Sequence, residues 1–535
     1  MKERSILRTD WPLLAGVCGF FFFFGLAWFG LFGADEPRYA QVAREMLARH
    51  DWITPTLGGK PWLEKPPLYY WQAMLAYSVF GVSDWAARLP SAIDATLMVL
   101  ASYWFLGRYR SGSELNGAVM IASAAGIVGF ARAASTDMPL AAMFSIAMLA
   151  WYAWFEGEDR RALAVFYVFV ALGMLAKGPV APFLAAAVIV VFAIAKGDIR
   201  LITRTLWIPG IVLFCAVSLP WYAAVQVRNP QFFREFILQH NLARFGSNLY
   251  HHREPFWYYI PVMLLALVPW TAFILAAFFE IVGVWWRDRR ALLHSADAWN
   301  VFLIIWWIVP VAFFSISQSK LPGYIAPAIP AGALLLAEYV RRNIEAEELP
   351  GRLLSALHAL VAALPIVPAL MIRYLLRQPR FPLNKATLLS SVVALLLGIA
   401  IFLTLRGRTG FATLRFVTLA PAVLVVGIVL RLGSPDLNDK LSARPIADEI
   451  VRMDLKHLPV AIFHVRREME FGLAFYLNQN IDRYEFGQIP DEEHFVVAPA
   501  GSQADVAKQV PGRRVSYLGE FVPQQVDYFW VSAQP

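Results

Sequence analysis

Apolar stretches of about 20 residues recur along this chain, separated by short polar loops, and each is long enough to cross a hydrocarbon core of roughly 30 Å as a helix. The pattern predicts spans at 11–32, 85–107, 114–131, 137–155, 162–176, 179–195, 205–226, 257–283, 297–317, 322–340, 353–374, 386–405 and 411–431, about 13 in all. After Leu432 the long runs cease, and Gly433, Ser434, Pro435 and Asp436 mark a linker. Stretches 460–465, 495–498, 515–518 and 528–531 then read as short strands, alternating with helical patterns at 447–454, 469–478 and 503–509. The expected organisation is a polytopic α-helical membrane part, 1–434, followed by a small soluble α/β domain, 435–535. No internal repeat or low-complexity tract interrupts it.

Basic residues fall on alternate loops: Arg108 and Arg110, Arg160 and Arg161, Lys196 with Arg200 and Arg204, Arg287 with Arg289 and Arg290, Arg341 and Arg342, Arg406 with Arg408. The positive-inside rule assigns these loops and the N-terminus to the cytoplasm. Three large stretches then emerge outside: 33–84, 228–256 and the tail. One loop breaks the rule, because Arg373, Arg377, Arg380 and Lys385 would also be external. In the first external loop, Tyr39, Val42, Ala43, Met46 and Leu47 fall at helical spacing behind Pro37. That pattern predicts an amphipathic helix lying flat at the membrane interface.

Composition narrows the class further. Hydrophobic residues are 58% of the chain, charged residues 16%, and mean hydropathy is +0.52, which excludes an ordinary soluble enzyme. The net charge of +8 resides mostly in short loops, so it reads as a topology signal and not as a nucleic-acid surface. Cys18 and Cys215 both lie in apolar spans, leaving no disulfide framework and no cysteine metal site. The first stretch has no small-residue cleavage site before Asp35 and reads as a retained helix.

Candidate chemistry clusters on the external side. Asp35, Glu36 and Arg38 follow the first span, and Glu64 and Lys65 close the same polar excursion within WLEKPPLYYW. Adjacent acids on a helix point about 100° apart and serve different partners; capping a helix start is the plainer role for either. Lys65 reads equally as a snorkelling interfacial lysine or as a phosphate ligand at headgroup depth. Asp137, in STDMPL, begins a span, where capping is again the default. Lys177, in the short turn AKGPVAP, needs an anionic partner. Arg244 and Arg253 are suited to bidentate phosphate binding. Glu64 with His251 and His252 could hold zinc, although no HxxxH or HExxH spacing supports it. Lys320 and Tyr324, in SKLPGY, sit on irregular backbone of the kind tolerated at membrane depth only inside protein or beside a cavity. No GxxxxGK[ST] and no GxGxxG after a strand is present, so neither ATP nor a dinucleotide is indicated.

In their order and external placement, ADEPRYA, WLEKPPLYYW, STDMPL, AKGP, ARF…HHREPFWYY and SKLPGY resemble the polyprenyl-phosphate-sugar glycosyltransferases of the protein-mannosyltransferase-like group, most of all the bacterial aminoarabinose transferases that modify lipid A. The resemblance covers residues 10–340 and, more loosely, the rest. It implies the C-type glycosyltransferase fold, a bacterial inner-membrane protein with cytoplasmic N-terminus, and a site and tail in the periplasm. It implies a sugar donor on undecaprenyl phosphate, an acceptor that is lipid A, another glycolipid, a glycan or a protein, and inversion at the anomeric carbon. By the family pattern Asp35, Lys65 and Asp137 would be catalytic. Glu36, Arg38, Lys177, Arg244, Arg253, Lys320 and Tyr324 would bind substrate, and Glu64 with a histidine would match an optional zinc site. No cofactor is required by that pattern. The tail is expected to cover the cavity or help select the acceptor. A protein O-mannosyltransferase-type enzyme, a polyprenyl-phosphate flippase and a non-catalytic partner of a complex are the competing readings. A flippase should place site charges nearer the midplane or the cytoplasmic face.

Overall fold

The computed structural model describes residues 3–243, 254–287, 298–378, 382 and 384–534. Among these, eight helices are long and apolar enough to cross a membrane: Asp84–Tyr109, Asp137–Gly157, Ile208–Arg228, Ala298–Ile316, Pro322–Glu345, Arg352–Leu370, Lys385–Leu405 and Gly410–Leu441. Two bent pairs raise the number to as many as ten: Glu114–Ser123 with Ala125–Ala131 at 64°, and Tyr259–Ala266 with Thr271–Arg287 at 116°. The expected count of about 13 is therefore not reached on length and composition alone. Expected spans at 11–32 and 179–195 are the shorter apolar helices Asp10–Phe23 and Val180–Lys196. Hydropathy cannot see why the two pairs bend. Pro269 cannot continue a helix, and the Ala125 N–H donates to the Val268 carbonyl at 2.8 Å, so each break supports the other.

The helices close on an aromatic-rich core. Trp151 stacks on Phe302 (centroids 5.6 Å apart), and Tyr152 packs on Trp299 at 4.7 Å. At one end of the bundle the basic loops find acids from neighbouring helices. Arg110 pairs with Glu156 and Arg204 with Glu158, while Arg341 pairs with Glu338 one turn earlier on its own helix. At the other end lie the first loop and the tail. The loop that breaks the positive-inside pattern belongs to this end, where Asp436 takes Arg373 at 2.9 Å and Arg377 at 3.0 Å.

The tail folds as a five-stranded sheet in the order β4-β3-β5-β7-β6. Its strands are β3 (Val460–Ile462), β4 (Ile481–Arg483), β5 (His494–Pro499), β6 (Val515–Phe521) and β7 (Val526–Val531), after a small hairpin in the first loop, β1 (Thr56–Leu57) and β2 (Lys60–Pro61). β3 runs parallel to β4 and β5, while β7 is antiparallel to β5 and β6. β4 is absent from the sequence reading: three half-buried residues, Ile-Asp-Arg, carry too little alternation to register as a strand. Apolar side chains cover both faces, Ile462, Leu473, Phe495 and Tyr528 on one and Phe463, Val496, Val506 and Phe529 on the other.

The tail is docked on the first loop. The Leu31 N–H donates to the Tyr476 hydroxyl at 2.7 Å, Gly30 N–H to Asn438 at 3.0 Å, and Arg44 to the Phe475 carbonyl at 2.6 Å. Asp84, at the start of a span, accepts from Arg444 at 2.8 Å and from Tyr476 at 2.6 Å. Gly30 permits this approach, since a Cβ there would lie 2.3 Å from Ser442 Oγ. The amphipathic helix forms as Asp35–Ala48, but its apolar face is not left for lipid. Tyr39, Val42, Ala43 and Met46 are buried against Tyr69, Tyr70, Met74 and Phe475. The apolar face expected to meet lipid is covered by protein instead.

Candidate functional site

The first loop is shaped from within. Glu45 accepts hydrogen bonds from Thr56 Oγ1 (2.7 Å), Gly58 N (2.8 Å) and Gly59 N (3.2 Å). Two glycines in left-handed backbone, φ 61° and 72°, make that tight hairpin turn possible. The hairpin returns the chain to Trp62, Leu63, Glu64 and Lys65, and Pro66-Pro67 lead into helix Leu68–Phe80. Its far side is fastened to the end of helix Ile208–Arg228. Asp51 meets Arg228 at 2.9 Å, Asn229 donates to Thr54 at 3.1 Å, and Trp221 donates to the Ile53 carbonyl at 3.0 Å. Backbone N–H groups of Ile53 and Thr54, with Arg228 and Arg49, outweigh the effect of burial and hold the Asp51 carboxyl below the usual range.

The two neighbouring acids have opposite fates. Glu36 is buried and saturated: it accepts from Arg88 at 3.0 and 2.7 Å, from Phe32 N at 3.0 Å and from Ala134 N at 2.8 Å. Arg88, itself fully buried, also donates to the carbonyls of Leu26, Phe29 and Gly30. The expectation that Glu36 touches substrate is therefore corrected to a structural role. Asp35 remains with its side chain 56% exposed and, among the described residues, pairs with Arg38 one helical turn on, and no side-chain cap bond forms at this helix start.

Arg38 is mostly buried, its guanidinium lying over Tyr39 (5.2 Å), Trp62 (5.1 Å) and, from the tail, Phe471 (5.6 Å). Burial opposes its charge, but Tyr39, Asp35 and Glu64 more than offset this and raise its pKa. Arg38 thus orders the loop and balances its acids. Lys65 is half-buried, three residues beyond the Trp62 on which Arg38 rests.

A second group forms where three helical segments meet. Asp137 begins helix Asp137–Gly157, with no cap bond from Thr136, and pairs with Lys177 at the end of helix Arg160–Lys177. The Lys177 ammonium sits 4.8 Å from the Tyr324 ring centroid. Tyr324 lies on the 3-10 turn Pro322–Ala328, which is tied down by Tyr259, whose hydroxyl reaches both N and O of Leu321 at 3.2 Å. Gly323 is required here, because a Cβ would fall 2.5 Å from Asp137 Cγ. Lys320 is buried with its ammonium on the Ser317 carbonyl at 2.6 Å, and burial lowers its pKa. The anionic partner that Lys177 needs is Asp137.

The two groups are linked through one hydrogen bond. Ala134, whose N–H binds Glu36, stands three residues before Asp137, and Glu36 follows Asp35 directly. Sequence reasoning missed Arg88 and Phe471, and it quoted Trp62 and Gly323 within their motifs without these contacts. For Arg88 there was a signal, a charge inside an apolar span that also holds Asp94. Four expected residues, Arg244, Arg253, His251 and His252, lie outside the described residues. Of the expected zinc ligands only Glu64 is described, facing the Arg38 charge, and among the described residues no three His, Cys, Asp or Glu groups are arranged to hold a metal.

Comparison with known proteins follows this geometry. Residues 64–223 match the family described as dolichyl-phosphate-mannose-protein mannosyltransferase. The chain is 29% identical over 404 residues, 74% of its own length and 67% of the relative's, to undecaprenyl phosphate-alpha-4-amino-4-deoxy-L-arabinose arabinosyl transferase 2 of Pseudomonas fluorescens. It is 32% identical over 318 residues to the corresponding transferase of Yersinia pestis, spanning 58% of this chain and just over half, 55%, of that protein. In structure it superposes on ArnT from Cupriavidus metallidurans bound to undecaprenyl phosphate, with TM-score 0.77, 22% identity and 97% of both chains covered. The apo form of that protein gives TM-score 0.74 at 21% identity, covering 98% of each. The fold is thus that of the ArnT-like C-type glycosyltransferases, multi-pass and membrane-embedded, with a small sheet domain. The chain is similar to polyprenyl-phosphate-sugar glycosyltransferases of the protein-mannosyltransferase-like group, and among these to the aminoarabinose transferases.

Proposed function

We propose that this chain, sharing its fold and its motifs with aminoarabinose transferases, is an inverting glycosyltransferase that moves a sugar from a polyprenyl phosphate to a membrane-surface acceptor. The donor carrier is undecaprenyl phosphate, and the acceptor is a phosphorylated glycolipid such as lipid A. The observation that supports this reading is the hydrogen bond from Ala134 to Glu36, which ties the loop carrying the exposed acid Asp35 to the segment leading into the Asp137–Lys177–Tyr324 group. An acid accessible to an acceptor next to cations embedded in apolar protein is what transfer from a lipid phosphate needs.

In this reading the acceptor oxygen bonds to the anomeric carbon as the bond from that carbon to the phosphate oxygen breaks. The electron pair leaves with the polyprenyl phosphate, and a single in-line displacement inverts the centre. Lys65, with Arg244 or Arg253, holds the departing phosphate, while Lys177 and Lys320 add positive field. Asp35 deprotonates or orients a hydroxyl acceptor; an anionic acceptor needs no base. Counting the bent pairs and the helices Asp10–Phe23, Arg160–Lys177 and Val180–Lys196 as crossings restores about 13 spans. With the basic loops assigning the N-terminus to the cytoplasm of a bacterial inner membrane, an odd number of crossings puts the site, with a tail domain at 435–535, in the periplasm.

The test supplies purified protein with a polyprenyl-phosphate sugar and candidate acceptors and follows release of polyprenyl phosphate. Asp35→Asn and Lys65→Ala should each lower turnover by about 10²-fold or more. Turnover left intact in both variants would overturn the site. In liposomes, headgroup movement across the bilayer without covalent product would instead make the protein a flippase.

A further inference from the structure

Arg466 and His464 look, in sequence, like the solvated end of a strand. In the folded tail they border a cavity of about 560 Å³, within the range of small-molecule sites. The sheet topology explains its place. From β3 the chain passes through helix Arg467–Leu477 to β4 on one side, whereas from β5 it passes to β6 and β7 on the other. The carboxyl ends of β3 and β5 therefore part at a topological switch point, where open α/β sheets leave a ligand crevice. Here the crevice is closed on its outer side by Phe32 and Gly33 of the first loop. Phe32 bridges to Ser442 and donates its N–H to Glu36, and Gly33 stands two residues before Asp35.

The lining has the chemistry of a phosphorylated sugar site. Arg466 is exposed, lines the crevice and stands immediately before the first turn of its helix, so its positive charge and the first-turn N–H groups lie at the same end of the crevice. Lys440, whose ammonium rests on the Leu376 carbonyl at 2.6 Å, adds positive charge, and the exposed His464 ring adds hydrogen-bonding nitrogens. His464 is held in left-handed backbone at φ 49°, with its N–H on Glu485 at 2.5 Å, which fixes the turn at the strand end. Glu468 and Gln524 supply acceptors for hydroxyls, and Phe32, 38% exposed, offers an aromatic face to a sugar ring.

We infer that this crevice is the acceptor subsite, binding the phosphorylated saccharide headgroup of a membrane glycolipid through Arg466, His464 and Lys440 and presenting it beside Asp35. The inference rests on the transferase reading above. Full-length protein is titrated separately with glucosamine 1-phosphate, inorganic phosphate and glucosamine. The phosphosugar should bind roughly tenfold or more tightly than either part, and Arg466→Glu should remove that advantage. Arg514→Glu should not, because Arg514 precedes Val515, whose register through Val531 to His494 places it at the amino end of β5. In transfer, Arg466→Glu should raise KM for a phosphorylated glycolipid by about tenfold or more while donor-lipid binding stays at the wild-type value. Phosphosugar binding that Arg466→Glu leaves unweakened overturns the subsite, as does inorganic phosphate binding equally well. Wild-type protein that binds phosphosugar through Arg466 yet transfers nothing overturns the transferase reading and leaves the subsite standing.

Discussion

Arg88 grips Glu36 with two nitrogens, at 3.0 and 2.7 Å, and neither side chain is more than 7% exposed. Breaking a buried pair from one side leaves an uncompensated charge, which costs about 3–5 kcal/mol, whereas removing both partners is milder. Glu36→Ala should therefore lower the melting temperature of the purified protein more than Glu36→Leu combined with Arg88→Leu. A double variant melting below the single one would show that the pair is not what holds this loop.

Gly323→Ala forces a methyl group into the Asp137 carboxylate, 2.5 Å from Cγ. The acid must move away from Lys177, and a displacement of about 1 Å at such a group can cost about 10²-fold in rate. Release of polyprenyl phosphate should fall by that order while the melting temperature changes little. Unchanged turnover would detach Asp137 from the chemistry.

Arg38→Lys keeps the charge beside Asp35 and loses the flat guanidinium that covers Trp62 and Phe471. Stacking of this kind contributes about 0.5–2 kcal/mol, and an ammonium cannot reproduce it at both rings. The tail should separate from the first loop more readily, seen as faster protease cleavage just beyond the end of helix Gly410–Leu441. Cleavage at the wild-type rate would mean that Tyr476, Arg444 and Asn438 suffice for docking.

His494 is buried in the tail, its Nδ1 2.8 Å from the Glu492 carbonyl and its Nε2 against the Tyr484 hydroxyl. Burial pushes its pKa below the ordinary histidine range. The unfolded chain then takes up a proton first, so this contribution is complete above about pH 6.5 and is lost as pH falls from there through the folded value. Thermal unfolding should show the tail losing stability between about pH 7 and pH 5. His494→Phe should flatten that slope; an equally steep slope in the variant would assign the effect to another group.

Much of this was legible from local pattern, and the remainder depended on partners distant in the chain. Apart from β4, the sheet strands after residue 460 and the helix at Asp35 carry their own periodicity. Lys177 announced a need for an acid, because a cation in so short a turn has little water; that the acid is Asp137, 40 residues earlier, depends on how two helices return to one another. Asp35 and Glu36 are indistinguishable in sequence, and the one turned inward is chosen by Arg88, 52 residues on. The basic loop at Arg373 and Arg377 looks misplaced until Asp436 neutralises it.

The docking of the tail has a consequence in time. Gly30, Leu31 and Arg44 leave the ribosome long before their partners Asn438, Tyr476 and Phe475, which come 408 to 445 positions later. A chain still being synthesised can insert its helices but cannot finish the loop that carries Asp35. That loop is therefore completed late, only when segments more than 400 residues apart come together.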